Sequence, residues 1–400
     1  AIHQGFQWKE YNLNEVYDFA SGLSKGAEEF GFGHGFLGFT DIFKNFFVPK
    51  KLTKLVNSTK KEQQSCSIKR GDVFLTRTSE TDEDLGMSCV ALKDYPNATF
   101  NGFTKRLRPK GNIEILPEYA GFYFRSPKFR ATVSGMSSIT TRASLNNGML
   151  SELKISLPEI DEQKAIAATL NALHKKIDLL KRQNETLEEL SSMIFKDLFL
   201  NENSANWQDG KINTLFDLLS GFAFKSSDYK ESGNYRLVTI KNVQDGYIDL
   251  SRTDYLVEMP ERMPKYCALE LGDILLSLTG NVGRCCLVNE ENLLLNQRVA
   301  KLKPKNPRDW AFGYALFRQK SIRWQVEELA KGTAQSNLSP VETSEIEIKI
   351  PPVPLLEDYA RDNTPMFKKI LANHKQIKTL TKQRDNLLPK LMSQEATIQI

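Results

Sequence analysis

Gly71-Asp72-Val73-Phe74-Leu75 returns 201 residues later as Gly272-Asp273-Ile274-Leu275-Leu276. Each copy is a Gly-Asp turn signal followed by an apolar run of strand length. The flanks repeat as well. Trp8, Leu13, Val16, Ser21 and Gly22 lie ahead of the first copy, and Trp207, Ile212, Leu215, Ser220 and Gly221 ahead of the second. Leu107-Arg108-Pro109-Lys110 and Leu302-Lys303-Pro304-Lys305 follow. Ser151-Glu152-Leu153-Lys154-Ile155 with Pro158 then matches Ser344-Glu345-Ile346-Glu347-Ile348 with Pro351. One register with small insertions means one domain present twice.

The chain is 40% hydrophobic and 26% charged, which suits a globular protein with sizeable cores. No run reaches the length of a membrane helix. No basic-then-apolar leader opens the sequence, and the expectation is a cytoplasmic protein. Five cysteines without a CxxC pair favour buried thiols over disulfides or a zinc site, and the four histidines show no metal-ligand spacing. The net charge of +5 is modest, but its distribution is uneven. Residues 101–150 hold eight Lys/Arg against two acids, and residues 296–331 hold nine against three. A basic excess recurring at one place in each repeat is the footprint expected of a phosphate-backbone binder, against the plainer reading of a solvated face.

Each repeat divides into a globular part and a helical part. We read domains at 1–157 and 201–350, each followed by a long helix at 158–200 and 351–400. Short β-like runs include Phe36–Phe39, Val73–Thr76, Leu153–Leu157, Tyr235–Ile240, Ile274–Leu278 and Ile346–Ile350. The first helix carries Ile166, Leu170, Leu173, Ile177, Leu180, Asn184, Leu187, Ser191, Ile194 and Leu198 in alternating steps of four and three. A period of 3.5 predicts a helical partner, with Asn184 as a register-setting polar residue. The second helix carries Phe367, Ile370, His374, Ile377, Leu380, Leu387 and Leu391, with Pro365 and Pro389 expected to interrupt or bound it. The expected architecture is α+β: two duplicated mixed α/β domains joined by an antiparallel coiled coil, with pseudo-twofold symmetry.

Catalytic signals are weak. Phe30-Gly31-Phe32-Gly33-His34-Gly35-Phe36 superficially resembles a cofactor loop of S-adenosylmethionine-dependent methyltransferases. It follows a polar stretch and precedes residues 37–43, which read as a strand, so a Gly-rich turn is expected. Asn281-Val282-Gly283-Arg284 lacks the ending of a phosphate-binding loop. Asp82-Glu83-Asp84 reads as a solvated loop.

Taken in order, these elements resemble the specificity subunit of type I restriction–modification enzymes. The resemblance rests on the Trp starts, the Gly-Asp strands, the Leu-x-Pro-Lys segments and Gly332–Ser339, which is degenerate at Ile139–Asn146. It rests also on the helix junctions, Leu157-Pro158-Glu159-Ile160-Asp161-Glu162-Gln163 and Pro352-Val353-Pro354-Leu355-Leu356-Glu357-Asp358, with Asp358 standing where the family pattern has Gln. It implies a non-catalytic, two-domain reader of a split duplex DNA target. Its coiled coil would fix the half-site spacing and dock two modification subunits, which restriction/translocase subunits join. S-adenosylmethionine, ATP and Mg would belong to those partners, with no cofactor in this chain. The alternatives are a single-chain methyltransferase or nuclease, and a coiled-coil interaction protein without DNA binding. Candidate base readers are Arg77, Thr78, Lys105, Arg106, Thr141 and Arg142 in the first domain. In the second they are Asn281, Arg284, Gln297, Arg298, Gln335 and Asn337. Arg pairs with guanine, and Asn or Gln with adenine. Turn or cap chemistry is the plainer reading for Asn281, Gln335 and Asn337. Arg77 has no clear counterpart in the second copy.

Overall fold

The computed structural model describes residues 8–77, 85–137, 145–201, 204, 206–331 and 338–396. The chain forms two compact units, residues 1–176 with 380–400, and residues 177–379. The division falls inside the two long helices, so each unit combines one globular domain with a portion of both.

Unit 1 opens with β1 (Lys9–Asn12), α1 (Leu13–Val16), β2 (Tyr17–Ser21) and β3 (Phe30–Leu37). Next come α2 (Phe39–Lys44), β4 (Leu55–Val56), α3 (Lys60–Ser65), β5 (Val73–Thr76), β6 (Ser88–Val90), β7 (Thr99–Phe100) and β8 (Thr104–Pro109). Then follow α4 (Pro117–Tyr123), α5 (Pro127–Ser137), α6 (Asn147–Glu152), β9 (Lys154–Leu157) and the long α7 (Ile160–Phe199). The central sheet is antiparallel in the order β2-β8-β5-β6, flanked by the sheet β4-β3-β7 and the pair β1-β9.

Unit 2 repeats this plan. Its elements are β10 (Gln208–Lys211), α8 (Ile212–Leu215), β11 (Phe216–Ser220), β12 (Tyr235–Val238), β13 (Tyr255–Leu256), β14 (Ala268–Leu269) and β15 (Ile274–Ser277). They continue with β16 (Cys285–Leu287), β17 (Leu293–Leu295), β18 (Val299–Pro304), α9 (Asp309–Phe317), α10 (Lys320–Lys331), α11 (Pro340–Ser344), β19 (Glu347–Ile350) and α12 (Val353–Met392). The sheet β11-β18-β15-β16 matches the central sheet of unit 1, and β13-β12-β17 matches β4-β3-β7 with β14 added at the edge. In both, the inner pair of the smaller sheet is parallel, β3 with β7 and β12 with β17.

The repeated motifs now have physical reasons. A Cβ on Gly22 would stand 2.2 Å from the Asn101 carbonyl oxygen, and one on Gly221 2.0 Å from that of Asn296. Only glycine permits that approach. Gly71 and Gly272 turn at φ +90° and +89°, in the left-handed region. The aspartate that follows caps its own turn: Asp72 Oδ2 accepts from Lys69 N at 2.7 Å, and Asp273 Oδ2 from Glu270 N at 2.8 Å. The Pro-Lys lysine closes the first short helix of each unit, with Lys110 Nζ donating to Asn14 O at 2.7 Å and Lys305 Nζ to Asn213 O. All five cysteines are buried free thiols.

The long helices pair within each unit. In unit 2, Ser191 meets Tyr359 (3.3 Å between hydroxyls), and Asn373 Nδ2 donates to Asn184 Oδ1 at 2.7 Å. Moving back along α7 therefore means moving forward along α12, an antiparallel arrangement. In unit 1, Ile166, Ala167 and Leu170 share a core with Leu388, Leu391 and Met392. Of the expected seam, Ile166, Leu170, Ile177, Leu180 and Asn184 are buried, while Leu173, Leu187, Ile194 and Leu198 are half-buried. Phe195 and Phe199 take the buried line at the end of α7. A helix of 3.6 residues per turn drifts about 20° per heptad from a 3.5 period, enough over four heptads to move the seam by one position. On α12, Phe367, Ile370 and Leu391 are buried, and Ile377, Leu380 and Leu387 are half-buried.

Several expectations are corrected. Residues 39–44 form a helix, whose first turn is closed by Asp41 Oδ2 accepting from Gly38 N at 3.0 Å. The Phe30–Phe36 stretch is a bulged strand, with Phe30 and His34 both opposite Val56 and Gly31 and Gly33 at positive φ. Pro365 and Pro389 lie inside α12 without ending it. Burial of Leu356, Tyr359, Phe367 and Ile370 on the same helix, at about 1.5–3 kcal/mol each, offsets the roughly 3 kcal/mol cost of an interior proline. The helix junctions align two residues away from the sequence reading. Leu157 and Ile350 hold equivalent registers, and Gln163 N and Leu356 N make the same turn bond, to Glu159 O and Pro352 O. Gln163 is thus matched by buried Leu356, not by exposed Asp358.

Candidate nucleic-acid interface

The sheet of unit 2 has two unlike ends. The start of β15 lies against the helices, with Trp310 Nε1 donating to Gly272 O at 2.8 Å beside Leu371 of α12. The other end carries loops. Ser277 Oγ accepts from Arg284 N at 3.1 Å, and Ser277 O accepts from Gly283 N at 2.9 Å, so both ends of the loop after β15 are clamped at one residue. Leu278 N donates to Arg298 O at 3.1 Å, and Leu278 O accepts from Leu338 N at 2.9 Å. Three segments therefore meet: the loop after β15, the turn before β18 and the chain entering α11.

Unit 1 builds the same edge from different residues. Thr76 Oγ1 accepts from Met87 N at 2.9 Å, and Thr76 O from Gly86 N at 3.0 Å. Arg77 N donates to Phe103 O at 3.0 Å, and Arg77 O accepts from Leu145 N at 2.8 Å. The counterpart of Arg77, which the sequence left open, is Leu278.

The edge sorts the candidate residues. Arg77 lies on it, half-buried. Asn281, Gln297 and Arg298 lie on it exposed, and Arg284 is half-buried with its guanidinium donating to Gln244 Oε1. Lys105 and Arg106 are placed otherwise. Lys105 is buried within β8 and donates to Ser21 Oγ and Asn147 Oδ1, both at 2.9 Å. Arg106 is buried and donates to the carbonyls of Ser65 (3.2 Å) and Ser67 (2.8 Å), with Phe100 beneath it. Burial lowers the pKa of both, reinforced by Arg77 for Lys105 and by Arg108 for Arg106. Thr78, Thr141, Arg142, Gln335 and Asn337 lie outside the described residues.

The recurrent basic excess is largely framework. Arg108 pairs with fully buried Asp72 at 2.6 Å, and Lys301 with Asp273 at 2.6 Å. Arg125 donates to the carbonyls of Ile42, Phe43, Asn45 and Ser88, all within 2.9 Å. Arg318 pairs with Asp245 and Glu188. A fold used twice repeats its structural cations, and charge counting along the sequence cannot tell them from a binding face. The sequence reading passed over Phe103, 60% exposed on the tip of the turn before β8. It sits 195 residues ahead of Arg298, the offset of Pro109 and Pro304, which could have found it.

Among the described residues, no cluster of three His, Cys, Asp or Glu side chains could hold a metal ion. No described helix is long and apolar enough to cross a membrane.

Two copies of one α+β module, each followed by a long helix and each presenting a diverged loop edge on a shared scaffold, define a class of duplicated recognition proteins. The chain belongs to the specificity-subunit family of type I restriction–modification systems. The family model, described as a type I restriction modification DNA specificity domain, matches residues 7–189 and again 204–383. The chain is similar to the type I restriction enzyme MjaIX specificity subunit of Methanocaldococcus jannaschii. The two are 25% identical over 371 residues, 86% of this chain and 82% of that protein. It is also similar to the HindI specificity subunit of Haemophilus influenzae, 20% identical over 97% of this chain and 99% of that one. Among solved structures, the S subunit of a type I system from M. genitalium shares the fold, with a TM-score of 0.61 and 16% identity over 100% of this chain and 98% of that chain.

Proposed function

We propose that each globular domain reads one half of an asymmetric, bipartite duplex DNA target. The observation that carries this reading is the shared edge: identical backbone hydrogen bonds in the two units, with different side chains presented from them. Two readers of unlike surface recognise unlike half-sites, and base edges in the major groove supply the code. The helices, 40 residues each and about 60 Å long at 1.5 Å per residue, would hold the readers at a set spacing and dock two modification subunits. Restriction/translocase subunits would join that assembly in the cytoplasm. The chain itself would carry no catalysis, and S-adenosylmethionine, ATP and Mg would be bound by its partners. The test is a genome-wide map of methylated adenines in the host with and without this gene. One split motif lost on deletion supports the reading. Purified chain that alone transfers methyl groups to DNA, or a map that deletion leaves unchanged, overturns it.

A further inference from the structure

The turn before the long strand of each sheet is one structural position filled by two chemistries. In unit 1, Asn101 Oδ1 accepts from Phe103 N at 2.7 Å, and Thr104 N donates to Asn101 O at 3.1 Å. Gly102 N bonds to Leu23 O at 2.9 Å. In unit 2, Val299 N donates to Asn296 O at 3.2 Å, and Gln297 N to Phe222 O at 2.9 Å. The frame is therefore pinned from two sides in both units, and Phe103 corresponds to Arg298. Each breaks a local rule. Phe103 holds an aromatic ring 60% exposed on a rigid tip. Arg298 sits at φ +74°, a conformation costly for a side-chain-bearing residue, and is exposed. Tolerated strain clusters at functional sites, and here it falls at the position whose equivalent in the other unit exposes an aromatic ring.

We infer that this turn is a specificity-determining position in both domains, with Phe103 contacting the C5 methyl of a thymine and Arg298 pairing with the N7 and O6 of a guanine. The inference rests on the half-site reading above and assigns one base pair in each half. The chemistry follows from the groups. A phenyl ring offers no hydrogen bond to base edges, and on a stacked duplex the apolar partner that the major groove supplies is the thymine methyl. A guanidinium presents a donor fork that matches guanine. Arg298, at positive φ and exposed, immediately precedes the β18 ladder, which starts at the next residue.

The test uses the full chain, purified with the subunits that accompany it, and duplexes randomised in sequence. Wild type should enrich one split motif. Phe103→Arg should change preference at a single base pair of one half-site. Arg298→Gln should lose guanine at a single base pair of the other. Each change should amount to roughly 5- to 150-fold in discrimination with all other positions kept. Replacing the implicated thymine by uracil, which removes only the methyl, should weaken wild type and leave Phe103→Ala indifferent. Both side chains are exposed, so thermal melting of the variants should match wild type. A wild-type motif that both variants enrich unchanged overturns this inference and leaves the half-site reading standing. Enrichment of no motif by wild type overturns both.

Discussion

Arg125 and Arg318 fill one position in the two units, each at the end of an equivalent helix, α4 and α9, yet they live in opposite electrostatic surroundings. Arg125 is caged by four neutral carbonyls, and burial pushes its pKa down to about 10. Burial also works against the charge of Arg318, but Tyr314, Glu188 and Asp245 outweigh it and hold its pKa above the ordinary value. The position demands a buried guanidinium, and the segment packed over it is free to vary. In unit 1 that segment is α2 and the Phe46-Phe47 turn, and in unit 2 it is the Asp245-Gly246-Tyr247 turn. A domain used twice keeps its joints and exchanges its coverings.

The sharpest way to break this comparison is to remove both arginines in turn. Arg125→Ala strands four buried or half-buried carbonyls that no other described side chain is seen to reach, and should cost about 3–5 kcal/mol in urea unfolding of unit 1. Arg318→Ala leaves Asp245 and Glu188 with access to water and should cost about 1–2 kcal/mol. Equal losses would show that the surroundings are irrelevant. A joint shared by both copies should instead respond alike. Gly22→Ala and Gly221→Ala drive a methyl into the same carbonyl, and each should cost about 2–3 kcal/mol within error of the other.

A smaller effect separates the helices from the domains they serve. Asn184→Leu removes one of the two acceptors of buried Asn373 Nδ2, the other being Gln183 Oε1 at 2.9 Å, and should cost about 1 kcal/mol by thermal melting. The double variant with Asn373→Leu should recover that loss or exceed wild type, because the pair already leaves one amide atom of each residue unbonded. A double variant no better than the single would assign the pair a role beyond register. The smallest effect is a pH dependence. Burial lowers the pKa of His374 below 6.5, so the folded state binds that proton less readily than the unfolded one. Its contribution is complete above about pH 6.5 and is lost as pH falls toward the folded value. His374→Gln should flatten the stability profile as pH falls below about 6.5, compared with wild type. A wild-type profile superimposable on the variant's would remove His374 from the account.

The repeat, the Gly-Asp strands and both long helices were legible because turn signals and hydrophobic periods are local. What escaped was decided by packing. Residues 37–43 read as a strand from their apolar content, but Asp41 turns back on Gly38 and starts a helix. The first heptad seam was strict on paper, yet the helix turns Phe195 and Phe199 inward where Ile194 and Leu198 were expected. The candidate edge was half legible. Asn281, Gln297 and Arg298 stand where loop chemistry put them. Lys105 and Arg106 do not, because a basic residue in a strand looks the same on paper whether it bonds to a carbonyl beneath it or to a phosphate beyond it.

Thr76 and Ser277, where each loop departs, hold its returning end with one hydroxyl and one carbonyl. The first loop is four residues longer than the second, and the strand beneath bonds identically. Length between those two points thus differs while the bonds that close the loop stay the same. Heritable change in such a chain can proceed by insertion and deletion as readily as by substitution, and a lineage can acquire a new address on its genome without rebuilding the protein that reads it.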